Sequence, residues 1–312
     1  MDYRDPLFSV IMFFLIVLLS VILTLAFGKI RAYLKQKRIE ELLKEFDYVE
    51  IENLKVDKHS VDALRLLAKA YEIKGDYEKA LKIYLLIEKQ ENSPAILKNI
   101  ATLYFKAGFL EKAKNVIYQV LSVYPRDKEA LRLLILIDEK LGNYTEILEV
   151  LDVFKELGVE MRKEKANAVF KIKSREWRVG EYLEFLNDYP FARREVIERL
   201  FLLNPVKAYD LLDVYEDLDL YFYRSDIPKT EKFCNILAAK HKTKCEIKAP
   251  FEIEALKYLP EGLAELEFEY VCKNCKKVFP IYSTRCPKCY ELYTLKLIMK
   301  LSEKKNIENI EF

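Results

Sequence analysis

The chain has 312 residues, which is enough for one large domain or two to three small ones. Its 52 lysines and arginines nearly balance 50 aspartates and glutamates, so the net charge of +2 gives no overall electrostatic basis for binding nucleic acid. There are only seven glycines, which are not clustered, and only two histidines. Because phosphate-cradling loops need clustered glycine and acid–base catalysis commonly uses histidine, we predict that the protein is not an enzyme and has no catalytic or cofactor-binding residues.

The first segment, residues 1–28, contains an apolar run from Leu7 to Phe27 that only Ser9, Ser20 and Thr24 interrupt. A helix of this length, at about 1.5 Å per residue, matches the roughly 30 Å hydrocarbon core of a bilayer. A cleaved signal peptide is the alternative, but the preceding residues carry no net positive charge and the run is long for one. The pattern predicts a transmembrane anchor.

Basic residues cluster directly after this run: Lys29, Arg31, Lys35, Lys37 and Arg38. The positive-inside rule then predicts that Met1 lies outside the membrane and that residues 29–312 are cytoplasmic. Residues 29–60 follow as a juxtamembrane segment. Within it, apolar positions from about residue 30 to 52 predict a polar amphipathic helix that acts as a spacer; they are Leu34, Ile39, Leu42, Leu43 and Phe46.

Residues 61–161 contain three similar copies of a helix pair. Gly75, Gly108 and Gly142 fall 33 and 34 residues apart, each between two apolar periodic stretches. The pattern resembles the tetratricopeptide repeat, in which a glycine marks the turn between two antiparallel helices. Such arrays bind protein partners on a concave surface. Tyr71 and Tyr104 could line that surface, but their spacing favours packing in the core.

Residues 162–260 predict further, degenerate helical repeats, since prolines and apolar periodicity continue without the full motif. Helix pairs are expected over 162–189 and 191–218, the second broken at Asn204-Pro205, with further helices near 229–241 and after Pro250. The fold class is therefore mostly α: a transmembrane helix, an α-solenoid and a small C-terminal β domain.

That β domain spans residues 264–300, and a tail of residues 301–312 follows. Two Cys-x-x-Cys pairs, Cys272/Cys275 and Cys286/Cys289, lie ten residues apart. Four cysteines at this spacing fill a tetrahedral metal site and leave no open position, so we predict a structural zinc ion, with iron as the alternative metal. Two disulfides are the competing interpretation. Alternating apolar residues after Gly262 and over 292–299 predict the strands of a rubredoxin-like ribbon.

Cys234 and Cys245 lie outside the pairs, with His241 between them. A second metal site is one interpretation, but the spacing is unfamiliar, and we expect buried free thiols.

Five basic residues accompany the ribbon: Lys273, Lys276, Lys277, Arg285 and Lys288. They could contact phosphate, remain solvated, or face the acidic stretch 210–219 within the fold. We expect a solvated surface and no nucleic-acid partner. Only about a dozen residues separate the last predicted helix from Cys272, so the ribbon is expected to dock on the helices rather than swing on a tether.

The order of anchor, repeats and ribbon resembles the lipopolysaccharide assembly protein B family of bacterial inner-membrane proteins. The resemblance is sharpest at Tyr270-Val-Cys-Lys-Asn-Cys275 and Tyr282-Ser-Thr-Arg-Cys-Pro-Lys-Cys289. It implies that the ribbon packs against the repeats. It also implies an adaptor that presents the deacetylase committing to lipid A synthesis to a membrane-bound, ATP-dependent protease, with the four cysteines as the only residues carried over. A general scaffold for envelope assembly is the alternative function.

Overall fold

The structure is a computed structural model that describes residues 60–91 and 93–303. The predicted anchor, the juxtamembrane helix and the tail beyond residue 303 lie outside these ranges. Inside them, the search for a helix of sufficient length and apolarity to cross a bilayer found none. The chain divides into two compact units, one ending at Leu141 and the other beginning at Gly142.

The described part of the first unit consists of five helices. They are α1 (Val61–Lys74), α2 (Tyr77–Glu88), α3 (Pro94–Lys106), α4 (Leu110–Val123) and α5 (Lys128–Leu141). The turn between α1 and α2 is at Gly75, with a φ of 89°, and that between α3 and α4 includes Gly108, with a φ of 84°. Both angles lie in the left-handed region, which glycine adopts without steric cost, so the spaced glycines are the turns that the sequence predicts.

Capping residues stabilise the N-termini of two of these helices. The Asp76 side chain accepts a hydrogen bond from the backbone N–H of Lys79 and caps α2, while Ser93 caps α3 in the same way through Ile96. Pro94 occupies the first position of α3, where its fixed φ suits a helix and no N–H is needed.

A core of small and aliphatic side chains joins α1, α2 and α3. Ala68 and Ala80 are fully buried, and their small size allows the paired helices to approach closely. Tyr71 is also fully buried in this core, as its spacing predicted, whereas Tyr104 is only half-buried.

The second unit contains eight further helices among its described residues. They are α6 (Tyr144–Glu156), α7 (Arg162–Lys173), α8 (Val179–Asp188), α9 (Arg193–Leu203), α10 (Pro205–Leu211), α11 (Leu218–Tyr221), α12 (Cys234–Ala239) and α13 (Phe251–Tyr258). The breaks fall where proline was expected to place them. Pro190 begins a 3₁₀ turn before α9, and Asn204 caps α10 by accepting from the N–H of Lys207. The predicted helix over 229–241 is shorter, because a 3₁₀ turn at Glu231–Phe233 takes its first part.

Aromatic side chains dominate the core of this unit. Phe170, Trp177, Tyr182 and Phe185 form one group of edge-on and tilted rings with centroids 4.9–6.2 Å apart. Tyr209, Tyr221 and Phe233 form a second. Edge-to-face geometry is favourable because the positive ring edge meets the negative face of the next ring.

The unit ends in a three-stranded antiparallel sheet with the order β2-β1-β3. Strand β1 spans Ala264–Cys272, β2 spans Val278–Phe279 and β3 spans Leu295–Glu303. The long pairing of β1 with β3 places Ala264 opposite Glu303 and Cys272 opposite Leu295. The last strand therefore begins and ends later than the predicted range of 292–299. The sheet brings the two Cys-x-x-Cys turns together at one end.

Candidate metal centre and its docking surface

The four ribbon cysteines converge as the sequence predicted. Cys272 ends β1, and Cys275 lies on the turn that follows it; the second turn carries Cys286 and Cys289. Cys272 and Cys286 are fully buried, and the other two are half-buried. All four Sγ atoms lie within 4.8 Å of one another.

The sulfur separations fit a tetrahedral metal site. Cys272 Sγ is 3.6 Å from Cys289 Sγ, and Cys275 Sγ is 3.7 Å from Cys286 Sγ. A zinc–sulfur bond of about 2.3 Å gives a tetrahedral edge of about 3.8 Å, whereas a disulfide needs about 2.05 Å. The arrangement therefore matches a metal bound by four thiolates and excludes the two disulfides that were the alternative here. Zinc and iron both accept a set of four thiolates.

The local hydrogen bonds favour a thiolate at Cys272. Burial opposes its ionisation, but a hydrogen bond with Thr294 and the backbone N–H groups of Cys275 and Asn274 outweigh burial and lower its pKa to about 6. For Cys286, burial raises the pKa to about 12. Four thiolates this close would repel one another, and a bound dication would offset that repulsion.

A buried arginine connects the helices to the ribbon. Arg194 of α9 forms a bidentate pair with Asp219 of α11, with Nη1 3.0 Å from Oδ1. The Tyr270 hydroxyl of β1 donates to the same carboxylate at 2.5 Å. Arg194 also stacks over the ring of Tyr282, 4.0 Å from its centroid. Burial by itself lowers the pKa of the Arg194 guanidinium. The hydrogen bond to Asp219 and the charge of Asp219 outweigh burial, so the pKa is raised above its ordinary value.

A second contact involves a buried carboxyl group. Tyr282 donates its hydroxyl proton to Glu195 Oε1 at 3.1 Å, and Glu195 is only 6% exposed. Burial raises the pKa of Glu195 and, together with the charge of Glu195, that of Tyr282. The hydrogen bond between Tyr282 and Glu195 offsets part of the cost of burying these polar groups.

Apolar and backbone contacts extend the same surface along β1 and β3. The Tyr223 hydroxyl donates to the carbonyl of Leu266 at 2.7 Å, and the rings of Phe222 and Phe268 lie 6.1 Å apart. Phe191 packs on Tyr293 at 4.9 Å. The prediction that the ribbon docks on the helices is thus confirmed within the second unit.

The acidic stretch 210–219 takes part in this docking, although not through the predicted ribbon lysines. Asp219 accepts from Tyr270 of β1, and Glu216 pairs with Lys296 of β3 at 3.1 Å. Asp217 pairs instead with Arg193 of α9, at 2.9 Å. Lys273, Lys276, Lys277 and Lys288 are exposed, as expected for a solvated surface. Arg285 is instead half-buried and donates to the carbonyl of Tyr290. The arginines on α9 were not singled out from the sequence, because only the fold shows that they face the ribbon.

The expectation for Cys234 and Cys245 was wrong. They form a disulfide, with Cα atoms 5.6 Å apart, and both residues are half-buried rather than buried. The bond joins α12 to the loop before α13 and closes a short loop of chain. A separation of eleven residues carries no signal for disulfide pairing, so the sequence could not distinguish this bond from two thiols.

A groove in the second unit provides a candidate partner surface. It lies between α6 and α7, with a volume of about 610 Å³. Leu148, Leu151, Val159, Met161 and Val169 contribute apolar lining. Its polar lining residues, Asp152, Lys155, Glu160, Arg162 and Lys165, are exposed. An apolar floor with a charged rim suits an amphipathic peptide.

No family model matches this sequence, and no curated protein matches it. Among solved structures it is similar to a tetratricopeptide repeat protein from Parabacteroides merdae, with a TM-score of 0.41 and 19% identity over 66% of this chain and 79% of that one. MamA of strain RS-1, a double mutant, gives a TM-score of 0.40 and 16% identity over 52% and 94%. MamA from residue 41 onward, from Desulfovibrio magneticus RS-1, gives 0.38 and 18% over 49% and 90%. TM-scores at this level identify neither a family nor a function.

Proposed function

We propose that this protein is a non-catalytic adaptor whose helical repeats bind protein partners and whose metal ribbon stabilises the helices α9 and α11 on which it docks. The observation that carries the proposal is the docked ribbon, held on α9 through Arg194, Asp219 and Tyr282. Four cysteines fill every position of a tetrahedral metal, so the site has a structural role. Paired helices in series are a common architecture for protein recognition.

The finer proposal is that the adaptor limits lipopolysaccharide synthesis. It would present the deacetylase that commits to lipid A synthesis to a membrane-bound, ATP-dependent protease. The sequence order of anchor, repeats and ribbon supports this, together with the packing of the ribbon against helices, which is the arrangement that the family resemblance implies. The groove between α6 and α7 is the proposed surface for a partner segment.

In this proposal residues 1–28 anchor the protein in a bacterial inner membrane, and residues 29–312 are cytoplasmic. The apolar run from Leu7 to Phe27 and the basic residues after it support that placement. Anchoring raises the effective concentration of a client near a membrane protease, so removing residues 1–28 should abolish the regulation while the remaining chain still binds metal.

The test is the half-life of the deacetylase in cells that contain the full-length protein, the form lacking residues 1–28, or neither. We expect a short half-life with the full-length protein and a several-fold longer one in the other two cases. A Leu148→Glu variant, at a half-buried position of the groove, should also lengthen it, whereas Leu202→Glu, at a position 75% exposed on α9, should not. Equal half-lives in all cells would reject the proteolytic role.

That outcome would leave the second candidate, a general scaffold for envelope assembly with no proteolytic link. The groove and the repeats support it equally, because neither identifies the partner. Affinity capture of the membrane-anchored protein discriminates between the two functions: an adaptor should retain both a protease and its client, whereas a scaffold should retain assembly components without a protease.

A further inference from the structure

Helix α1 has an apolar face that no described element covers. Leu66 is 74% exposed and Ile73, seven residues later on the same side of the helix, is 67% exposed. Ala63 and Ala70 border this stripe; Ala63 is exposed, and Ala70 is half-buried because part of it packs against the core of the first unit. The opposite side of α1 carries Tyr71 and the rest of the core shared with α2.

The internal repeat shows what this face does in the next copy. A shift of 33 residues, the spacing of Gly75 and Gly108, aligns Ala63 with Ile96 and Ala70 with Leu103 of α3. Ile96 and Leu103 are each 1% exposed, and they belong to the same core as residues of the preceding hairpin. The strip of α3 that contains Ile96 and Leu103 is therefore the one on which the preceding helix packs, whereas Asn99 and Lys106, the equivalents of Leu66 and Ile73, are polar and exposed. For α1, a preceding helix must come from residues before 60.

We infer that residues 39–49 form that helix and pack on the face of α1 defined by Ala63, Leu66, Ala70 and Ile73. Ile39, Leu42, Leu43 and Phe46 recur at the spacing of one helical face. The sizes of the side chains on α1 are complementary to those on the inferred helix. In α3 the large Ile96 and Leu103 lie beside the polar Asn99 and Lys106, whereas in α1 the small Ala63 and Ala70 leave room for the large side chains of an incoming helix.

The connection is long enough. Eleven residues, 50–60, separate the inferred helix from α1, and the equivalent connection between α2 and α3 has five residues, 89–93. Connections become uncommon only beyond about 12–15 residues. The segment that leaves the membrane is then the first layer of the repeat array, rather than a free spacer. The array would be fixed close to the bilayer.

Hydrogen–deuterium exchange of the full-length protein in lipid nanodiscs tests the inference. Amides of residues 39–49 should exchange at least about tenfold more slowly than a free segment, and Leu66→Glu/Ile73→Glu should remove that protection. Leu202→Glu and Ile281→Glu, at positions 75% and 77% exposed in the second unit, should leave it unchanged. Exchange within α3 and α4 reports whether the variant has kept its fold.

Two results would overturn the inference. One is rapid exchange at residues 39–49 in the unmodified protein. The other is protection that survives Leu66→Glu/Ile73→Glu, which would mean that lipid, not α1, covers the segment. A photoreactive amino acid at position 66 provides an independent measurement, and it should cross-link to residues 39–49 of the same chain. Cross-links from α1 to α1 of a second copy would instead assign this face to a dimer.

Discussion

The two units differ in how far apart in sequence their contacts lie. In the first unit the ion pairs that link neighbouring hairpins join residues 26 to 34 positions apart, as in Arg65–Glu91 and Lys106–Glu72. In the second unit the decisive contacts join residues 51 and 87 positions apart, as in Tyr270–Asp219 and Tyr282–Glu195. In the first unit each helical hairpin contacts the next hairpin along the chain. In the second unit residues far apart in sequence contact each other.

Their cores differ in composition as well. Three aromatic residues, Tyr71, Tyr84 and Phe105, are buried in the described part of the first unit. Ten are buried in the described part of the second: Phe154, Phe170, Tyr182, Phe185, Phe201, Tyr209, Tyr221, Phe222, Phe233 and Tyr270. Short repeated helices need small residues to approach each other, whereas irregular helices of unequal length leave gaps that large rings fill. A destabilising substitution should therefore affect only the neighbouring helices in the first unit, whereas in the second unit it should affect distant elements as well.

The largest expected effect is the loss of the metal. Structural sites of this kind bind with about 10–16 kcal/mol of apparent free energy, so Cys286→Ser/Cys289→Ser should unfold the ribbon. It should also increase hydrogen exchange in α9 and α11, because Tyr270 and Tyr282 would leave Asp219 and Glu195. Metal analysis should fall from about one equivalent per chain to none. If α9 and α11 stay protected, docking is unimportant for their stability.

Arg194→Ala should have the next largest effect. Arg194 and Asp219 have side chains only 13% and 7% exposed, and removing one partner of a buried pair costs about 3–5 kcal/mol because the remaining charge is stranded. Lys296→Ala is the matched control: it removes a ribbon–helix pair whose side chains are 49% and 53% exposed, and should cost about 0–1 kcal/mol. Denaturant unfolding, followed by exchange in the second unit, measures both. Similar losses of unfolding free energy in Arg194→Ala and Lys296→Ala would contradict this account.

Ile83→Ala tests the first unit. Ile83 is fully buried on α2, and truncation of such a residue costs about 2–5 kcal/mol through lost burial and the cavity left behind. Faster exchange should be confined to α1, α2 and α3. A loss of protection in the ribbon would show that the units are energetically coupled.

Two glycines give the smallest effects, with opposite signs. Gly108→Ala places a side chain at a φ of 84°, which costs about 1–2 kcal/mol although nothing lies within 4 Å of the new Cβ. Gly180→Ala, on α8 and also in open space, should stabilise by about 0.5–1 kcal/mol because alanine favours the helix. Thermal unfolding of the two variants should therefore shift in opposite directions.

Local features of the fold could be predicted from the sequence. Gly75 and Gly108 predict turns because few residues other than glycine adopt a left-handed φ. Asn204-Pro205 predicts the end of α9 because proline cannot continue the helix. The four ribbon cysteines were recognisable because their spacing is a requirement of metal geometry. Each of these signals acts over a few residues.

The docking surface could not be predicted in the same way. Arg194 and Asp219 are ordinary charged residues in the sequence, and they pair only because α9 and α11 come together beneath the ribbon. The bond between Cys234 and Cys245 was missed for a similar reason, since it depends on how α12 approaches the loop before α13.

That bond has a consequence for the sulfur chemistry of the whole chain. The sequence contains six cysteines, and the disulfide and the metal site together account for all of them. With metal bound, an alkylating reagent should label none of the six in the folded protein. Chelation should make four available, and reduction of the unfolded chain should make all six available. The number of labels per chain, read by intact mass, would then separate loss of metal from loss of the disulfide.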